Sequence, residues 1–265
     1  MKLYNRDYIK EPPTREEREM YESVKESERP NGRRFGKINH RREYPMAIRH
    51  HGSLFPNNHI ELSDFQQSGL MEKINKEFYY LIHNSKTNEQ DILRFINHTP
   101  AYHIPVSILR YYNFAKHDAY LFPEYEIGAY RADYLIIGRN SGGYEFLFVE
   151  FERSNGRITL KSGHEGQALR SGTYQVYDWK TEIDSDFASI IGKIIKYSNK
   201  ETLPDEFIKY DPSRVHFAVV AGLRKDYDNA TYRDRRIKLQ QQNILLLHYD
   251  NLYDKACELE IAQTF

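Results

Sequence analysis

The sequence predicts an α/β (α+β) fold in which a mixed β-sheet is flanked by helices. Two observations lead to this prediction. Short segments rich in aromatic and β-branched residues alternate along the chain with segments whose apolar residues recur at helical spacing. In addition, the apolar runs 215–221 and 244–248 have the composition of strands that are buried on both faces of a sheet.

The predicted elements of the first 84 residues are helices within highly charged sequence. Residues 15–28 form a predicted helix that begins after Thr14, with Glu17 completing a capping box. Residues 61–83 are predicted to be mainly helical because their apolar residues recur at helical spacing. The N-terminal region, residues 1–84, is therefore expected to be mainly helical or irregular.

The remaining chain, residues 85–265, contains the alternating elements. Helices are predicted at 88–97, 166–183, 231–242 and 252–259. Strands are predicted at 124–128, 131–137, 145–152, 215–221 and 244–248. Residues 140–143, Asn-Ser-Gly-Gly, form a predicted hairpin turn between the second and third strands.

Composition excludes several classes of protein. Cys257 is the only cysteine, which excludes an internal disulfide and a cysteine-rich zinc site. No apolar run approaches the roughly 18 residues that indicate a membrane span. The first residues lack the apolar core of a secretory signal. We therefore expect a cytoplasmic protein with no membrane partner.

The formal net charge is zero, but two segments are strongly basic. The first contains Arg29, Arg33, Arg34, Lys37, Arg41, Arg42 and Arg49. The second contains Arg224, Lys225, Arg233, Arg235, Arg236 and Lys238. A neutral total can conceal a basic surface that binds a polyanion, although solvated surface is an equally good interpretation of each segment.

Three carboxylates are predicted to converge at one end of the hairpin. Asp133 lies at the start of one strand, and Glu150 follows 17 positions later (150 − 133) on the next strand. Because side chains alternate across a strand, Glu150 and Glu152 point to the same face. Phe148 should share that face, and the hairpin turn should bring Asp133 beside Glu150.

A divalent cation, Mg²⁺ or Mn²⁺, would explain these acids. Acidic side chains within Leu-Phe-Val-Glu-Phe-Glu need compensation if they are buried. Mg²⁺ prefers hard oxygen ligands, and a bound metal can activate water for attack on phosphorus. The alternative is that Glu150 and Glu152 lie on the solvent face of an edge strand.

The order of Asp133, Glu150 and Glu152 resembles the PD-(D/E)XK nuclease motif. Longer stretches resemble the Shedu anti-phage nuclease family within that superfamily, over about residues 85–265. The stretches that carry this resemblance are an opening helix (88–100), two active-site strands (125–136 and 148–152), the following helix (167–179), the helix through Arg235 and Arg236, and two C-terminal segments (221–224 and 244–253).

The resemblance implies a fold and a function. It implies a restriction-endonuclease-like core in a nuclease domain at 85–265, and a regulatory or targeting role for 1–84. It also implies a Mg²⁺- or Mn²⁺-dependent endodeoxyribonuclease, a hydrolase that cuts phage or plasmid DNA in bacterial anti-phage defence. The family further implies a homo-oligomer, either a dimer or a tetramer.

The resemblance also assigns residues to the site. Asp133, Glu150 and Glu152 would bind the metal and serve catalysis. Glu89 would add a further acidic ligand from the first helix, and Gln175 corresponds to the Gln that usually follows the motif. As residues of exposed helix surfaces, Glu89 and Gln175 would need no such role.

The motif usually ends in Lys, and this sequence has Glu152 in that position. Glu152 could bind metal or act as a general base, and Lys161 could supply the missing cation or be an ordinary surface lysine. The predicted DNA contacts are Arg131, Arg153, Arg235 and Arg236. Two alternatives remain open: a non-catalytic DNA-binding or scaffold protein on a nuclease fold, and a phosphoesterase that acts on nucleotides or RNA.

Overall fold

A five-stranded mixed sheet forms the centre of the protein. The computed structural model describes residues 2–27, 45–66, 69–160, 165–262 and 264–265. Within them the strands are β1 (Asp118–Ile127), β2 (Tyr130–Asn140), β3 (Gly143–Phe151), β4 (Val215–Val220) and β5 (Ile244–Leu247). They lie side by side in chain order. The first three strands are antiparallel, whereas β3, β4 and β5 are parallel.

Helices cover both faces of this sheet. They are α1 (Arg15–Ser27), α2 (Met46–Gly52), α3 (Leu62–Phe65), α4 (Leu70–His83), α5 (Glu89–His98), α6 (His103–Val106), α7 (Gln167–Gly192), α8 (Asn229–Gln242) and α9 (Tyr249–Glu258). Single 3₁₀ turns occur at Pro56–Asn58, Ser107–Tyr111, Lys193–Tyr197, Asp205–Phe207, Pro212–Arg214 and Arg224–Asp226. The predicted fold class, a mixed sheet flanked by helices, is confirmed, and this topology is consistent with a restriction-endonuclease-like core.

The sheet separates two hydrophobic cores. Phe148 lies in the core beneath α7, together with Trp179 of that helix. Val149 and Phe151 lie in the opposite core, which α4, α5 and α9 cover. The predicted alternation of β3 is therefore confirmed: Phe148 is on one face, and its neighbours are on the other.

The predicted hairpin turn is also confirmed. Asn140 pairs with Gly143 at the end of the β2–β3 ladder, and the Asn140 side chain accepts a hydrogen bond from the Gly142 amide at 2.6 Å. Gly143 has φ +106°, a conformation that L side chains rarely adopt. The turn therefore sets the register that carries Tyr134 opposite Val149 at the far end of the hairpin.

The predicted capping box at the start of α1 is confirmed, and α5 begins with a second one. The amide of Glu17 donates to Thr14 Oγ1 at 3.2 Å, and the Thr14 amide donates to Glu17 Oε2 at 2.8 Å. At the start of α5, the Asp91 amide donates to Asn88 Oδ1 at 3.0 Å, and the Asn88 amide donates to Asp91 Oδ2 at 3.1 Å. Both capping boxes satisfy amides that a helix leaves without intrahelical partners.

Several boundaries differ from the predictions, and three of these differences have local reasons. The first strand already begins at Asp118 and contains Pro123, which is tolerated because β1 is an edge strand of the sheet. Within the predicted helical segment 61–83, α3 ends at Phe65 and α4 begins at Leu70, directly after Gly69, whose φ is +74°. The last helix begins earlier, at Tyr249, because His248 Nδ1 accepts a hydrogen bond from the backbone amide three residues later.

Described parts of the first 84 residues pack against the sheet. The Ile60 amide donates to the Ala119 carbonyl at 2.8 Å, and Phe78 of α4 lies in the same core as Val149. The regulatory or targeting role of 1–84 stays a prediction. Most of the first basic segment, and Lys161, lie outside the described residues. In the described chain, no helix has both the length and the apolarity to cross a bilayer.

The capping box of α5 gives a testable prediction. Replacing Asn88 with Ala removes the acceptor for the Asp91 amide, so we expect the free energy of unfolding to fall by about 1 kcal/mol. Urea titration of the purified variant measures this change. Asn88→Ser keeps a capping oxygen and should stay within a few tenths of a kcal/mol of the wild type. Equal losses in both variants would contradict the assigned role.

Candidate acidic active site

Four acidic side chains from three elements lie near the open end of the β2–β3 hairpin. Glu89 is the first residue of α5, Asp133 lies on β2, Glu150 lies on β3, and Glu152 follows that strand directly. Burial raises the pKa of each of the other three carboxyls, and the charge of Glu89 adds to this rise. The acids therefore share one electrostatic environment, although α5 lies over one face of the sheet and α7 over the other.

The side chain of Asp133 accepts a hydrogen bond from the backbone of the neighbouring strand. The β2–β3 ladder ends where Tyr134 pairs with Val149, and beyond it Asp133 Oδ2 accepts a hydrogen bond from the Phe151 amide at 2.7 Å. The Asp133 carboxylate thus accepts the hydrogen bond that a carbonyl of β2 would accept in a regular ladder, and this bond holds the carboxylate beside β3. Asp133 also lies next to Glu124 of β1, which has φ +51° and is absent from the β1–β2 pairing.

The backbone of Glu124 is locally strained. A positive φ is uncommon for a residue with a Cβ atom, and such strain often occurs at functional sites. Pairing resumes on both sides, where Pro123 lies opposite Tyr134 and Tyr125 lies opposite Ala132. The interruption of the β1–β2 pairing is therefore confined to Glu124 and Asp133.

Glu150 and Glu152 face α7 and are nearly closed to solvent, with exposed fractions of 5% and 8%. Burial raises the pKa values of both acids; the side chain of Gln175 on α7 lies close enough to Glu150 to offset part of that rise, and Ser171 of the same helix does so for Glu152. Ser171 and Gln175 are four residues apart and so lie on one side of the helix. Helix α7 therefore presents one polar partner to each acid.

Backbone contacts hold Glu152 from the other side. Its amide donates to the Val220 carbonyl of β4 at 2.8 Å, and its carbonyl accepts a hydrogen bond from the Tyr249 hydroxyl at 2.5 Å. Tyr249 is completely buried at the start of α9. The main chain of Glu152 is thus tied to both β4 and α9, which leaves only its side chain to reorient.

Gly172 lets α7 approach the acids closely. A Cβ atom at this position would lie 2.7 Å from Val219 Cγ1, 3.1 Å from Glu152 Cγ and 3.6 Å from Glu150 Cγ. The glycine weakens the helix prediction on propensity grounds. Its structural reason is the contact between α7 and the sheet, since any side chain there would move the helix away from the acids.

Burial and mutual repulsion raise the proton affinity of these acids. Burial is the main reason that the pKa of Glu152 is raised to about 7. The pKa values of Asp133 and Glu150 are also raised, first by burial and then by the neighbouring carboxylates. Burial likewise raises the pKa of Glu89. Part of this cluster therefore holds protons near neutral pH.

The chemistry of this donor set suits a hard divalent cation. All its ligand atoms are carboxylate oxygens, which Mg²⁺ and Mn²⁺ prefer, and a cation would replace the protons that the cluster retains. In the part of the chain that the structure describes, no three His, Cys, Asp or Glu side chains are gathered closely enough to form a ready-made metal site. Binding would thus require these carboxylates to rotate inward.

Two of the arginines expected to contact DNA lie beside the acids. Burial raises the pKa values of Asp133 and Glu152, and the charges of Arg131 and Arg153 respectively offset a small part of that rise. Both side chains are exposed. Arg131 Nη1 lies 3.8 Å from Glu124 Oε2. The acids are therefore flanked by one cation on each side.

The other basic residues lie elsewhere. Arg235 donates to Asn251 Oδ1 at 3.4 Å, and its guanidinium lies 5.7 Å from the ring centre of Tyr111. Arg236 is exposed on the same helix, α8. The structure does not bring these two arginines to the acids, and Lys161 is outside the described residues. Their roles in DNA binding or catalysis stay predictions.

Three residues of the site were not singled out as functional from the sequence. Ser171 has a signal in its spacing, since it lies one helical turn before Gln175. Gly172 has an ambiguous signal, because glycine in a helix also reads as a weak point. Tyr249 has none: its partner is the backbone of Glu152, which only the tertiary fold brings near.

Comparison with known proteins finds a similarity to a solved structure. No protein-family model and no curated protein match the chain. Among solved structures, the chain is similar to the restriction endonuclease FokI, with a TM-score of 0.32 and 14% sequence identity. The match covers 76% of this chain and 31% of that chain. At this level of similarity, the fold assignment rests on the sheet topology and the function must be argued from the site.

The raised pKa values predict how stability depends on pH. Asp133, Glu150 and Glu152 bind protons more tightly in the folded protein than in the unfolded chain. Stability is then greatest at low pH and falls as the pH rises through the raised values. In EDTA, we expect the melting temperature to fall between about pH 5 and about pH 8. Glu150→Gln should reduce this fall, as followed by circular dichroism.

A matched variant separates this effect from general charge effects. Glu16 is exposed on α1, so Glu16→Gln should keep the slope of the wild type. Mn²⁺ should raise the melting temperature more at the higher pH, where the carboxyls have lost their protons. A slope in Glu150→Gln as steep as in the wild type would contradict the assigned electrostatics.

Gly172 gives a second prediction for this site. Gly172→Ala should lower the free energy of unfolding by about 1–3 kcal/mol through overpacking against Val219, although Ala favours helix formation. Gly192 lies at the end of the same helix with open space around it, so Gly192→Ala should be neutral or stabilising. Urea titration compares the two variants. A stabilising Gly172→Ala would show that α7 does not need this close contact.

Proposed function

We propose that this protein is a metal-dependent endodeoxyribonuclease of the PD-(D/E)XK type. The observation that supports this most is the meeting of Glu89, Asp133, Glu150 and Glu152 at the end of one hairpin, with raised pKa values and partners on α7. An acidic surface patch would be exposed and would have ordinary pKa values. These carboxyls are instead partly or fully buried, which favours a site that binds a cation.

Asp133, Glu150 and Glu152 would hold Mg²⁺ or Mn²⁺, with Glu89 as a further acid. When bound, such a metal supplies a more acidic water and stabilises charge on the phosphate and the leaving oxygen. Glu150 is presented by Gln175, and Asp133 is oriented by the Phe151 amide. Gln175 would also hydrogen-bond water or a phosphate oxygen, since its side-chain amide carries two donor hydrogens.

Glu152 is suited to proton transfer. Its pKa of about 7 means that a substantial fraction is ionised at neutral pH and can accept a proton from the attacking water at a carboxylate oxygen. Ser171 and the backbone contacts to Val220 and Tyr249 position this group. Glu152 thus replaces the usual Lys as a proton acceptor or metal ligand, and Arg153 beside it contributes positive charge. Lys161 remains a further candidate for that charge.

A non-catalytic DNA-binding or scaffold protein is the second candidate. Two observations favour it: Glu152 stands where the nuclease motif has Lys, and the carboxylates of the described residues are not gathered into a ready-made metal site. In that case the acids would be a remnant of a nuclease site, and DNA binding would persist without cleavage.

The finer parts of this proposal rest on the resemblance to the Shedu family. These are a role in bacterial anti-phage defence, phage or plasmid DNA as the substrate, a dimer or tetramer, and a cytoplasmic location. DNA contacts by Arg235 and Arg236 belong with them, because these side chains lie away from the acids. If they do contact DNA, the duplex must extend from the acids to α8.

The cleavage assay tests the proposal directly. Supercoiled plasmid incubated with the wild type and Mn²⁺ or Mg²⁺ should be nicked or linearised, and EDTA should abolish this. Asp133→Ala should reduce the rate by about 100-fold or more, because it removes a ligand and the partner of the Phe151 amide. Glu126→Ala, an exposed acid on neighbouring β1, should cut like the wild type.

Metal binding supplies a readout that does not depend on activity. Titration calorimetry should detect Mn²⁺ binding to the wild type and weaker binding to Glu150→Gln. Equal cutting by the wild type and Asp133→Ala would exclude the assigned site. DNA binding without cutting on any substrate, together with no Mn²⁺ binding, would instead favour the scaffold.

A further inference from the structure

An open groove lies between α5 and the edge of the sheet, next to the acidic site. Its volume is about 270 Å³, and Asp133 is part of its wall. Helix α5 contributes Arg94, Asn97 and His98, and besides Asp133 the strands contribute Arg131 and Glu124. Because Asp133 belongs to both the groove and the acidic site, a molecule that extends beyond the acids toward α5 must enter this groove.

The cations of this groove are available to a ligand. The side chains of Arg94 and Arg131 are each 62% exposed. Among the described residues, Arg94 pairs with Asp91, three residues away on the same helix, and Arg131 lies 3.8 Å from Glu124. Exposed pairs of this kind contribute little to stability, so a phosphate can displace either partner without destabilising the fold.

The groove also contains polar groups that suit a sugar–phosphate chain. His98 is exposed at the end of α5 and offers ring nitrogens. Asn97 has a buried side-chain oxygen with no hydrogen-bond partner among the described residues. Arginine forks match phosphate oxygens, and an amide can pair with a sugar or base group. Together these groups suit an anionic chain better than an apolar ligand.

DNA that approaches the acidic site needs positively charged side chains beside it, because the carboxylates repel its phosphates. A carboxylate cluster repels DNA until a metal neutralises it, and the backbone on either side of the scissile phosphate still needs positive contacts. Arg131 lies on the Asp133 side of the cluster and Arg153 on the Glu152 side. Arg94 extends the first of these contacts further from the acids, along α5.

We propose that the groove binds the phosphate backbone of the DNA strand adjoining the cut phosphodiester, with Arg94 and Arg131 as its main phosphate contacts. This inference rests on the proposed nuclease function and adds Arg94, Asn97 and His98 to the residues that contact the substrate. It assigns the path of the strand on one side of the site: from the acids, past Arg131, along α5.

The test measures DNA binding by the double variant Arg94→Ala/Arg131→Ala. A fluorescein-labelled DNA duplex is titrated in EDTA and in Ca²⁺, at several salt concentrations, with fluorescence anisotropy as the readout. We expect affinity to fall about tenfold or more, and the slope of log K against log salt to become shallower by about 2. In Mn²⁺, KM for plasmid should rise more than kcat falls.

A matched control loses a cation far from the groove. Lys209 is exposed after the 3₁₀ turn Asp205–Phe207, which packs near the turn end of the hairpin. Lys209→Ala should bind and cut DNA like the wild type. Circular dichroism and melting temperature confirm that each variant folds.

The outcomes separate the two proposals. If the wild type cuts DNA and the double variant binds and cuts equally well with an unchanged salt slope, the groove is not on the DNA path, and the nuclease proposal stands. If RNA competes better than DNA, the assigned substrate is wrong. If the wild type neither binds nor cuts DNA, both proposals fail.

Discussion

Desolvation and mutual repulsion of the carboxylates at the end of the β2–β3 hairpin are the constraint around which this structure is arranged. Taking acids out of water costs free energy unless they are neutralised, hydrogen-bonded or bound to a cation. Burial raises the pKa values of Asp133, Glu150 and Glu152, so the cluster retains part of its protons near neutral pH, and each acid has a polar partner beside it. Without metal, protons and hydrogen bonds offset only part of the cost of burying these acids. A bound cation would stabilise the site further.

Irregular features of the surrounding elements lie beside these acids. The β2–β3 ladder stops so that Asp133 can accept the Phe151 amide, and Glu124 takes a positive φ beside it. Because Gly172 has no side chain, α7 can approach Glu150 and Glu152 closely. These departures lie on three different elements. Their common location supports a function for the site, because each would be a defect if the acids were incidental.

Charge is arranged locally although the whole chain is neutral. The acids occupy a recessed position, and exposed arginines flank them on both sides. This pattern suits a polyanionic substrate whose reacting phosphate meets a cation while its neighbouring phosphates meet arginines. The groove beside α5 extends the pattern. Net charge therefore says little about the substrate here, and the position of a few guanidinium groups matters more.

The sequence by itself determined the fold class, the hairpin and the common face of Glu150 and Glu152, because these follow from local periodicity, turn chemistry and strand alternation. It also suggested Asp133 as their partner. Only the tertiary structure decided that α7 supplies Ser171 to Glu152, that Tyr249 holds its carbonyl, and that Arg235 lies away from the acids. These contacts join residues far apart in the chain, and their geometry depends on how helices pack across the sheet, which no local pattern specifies.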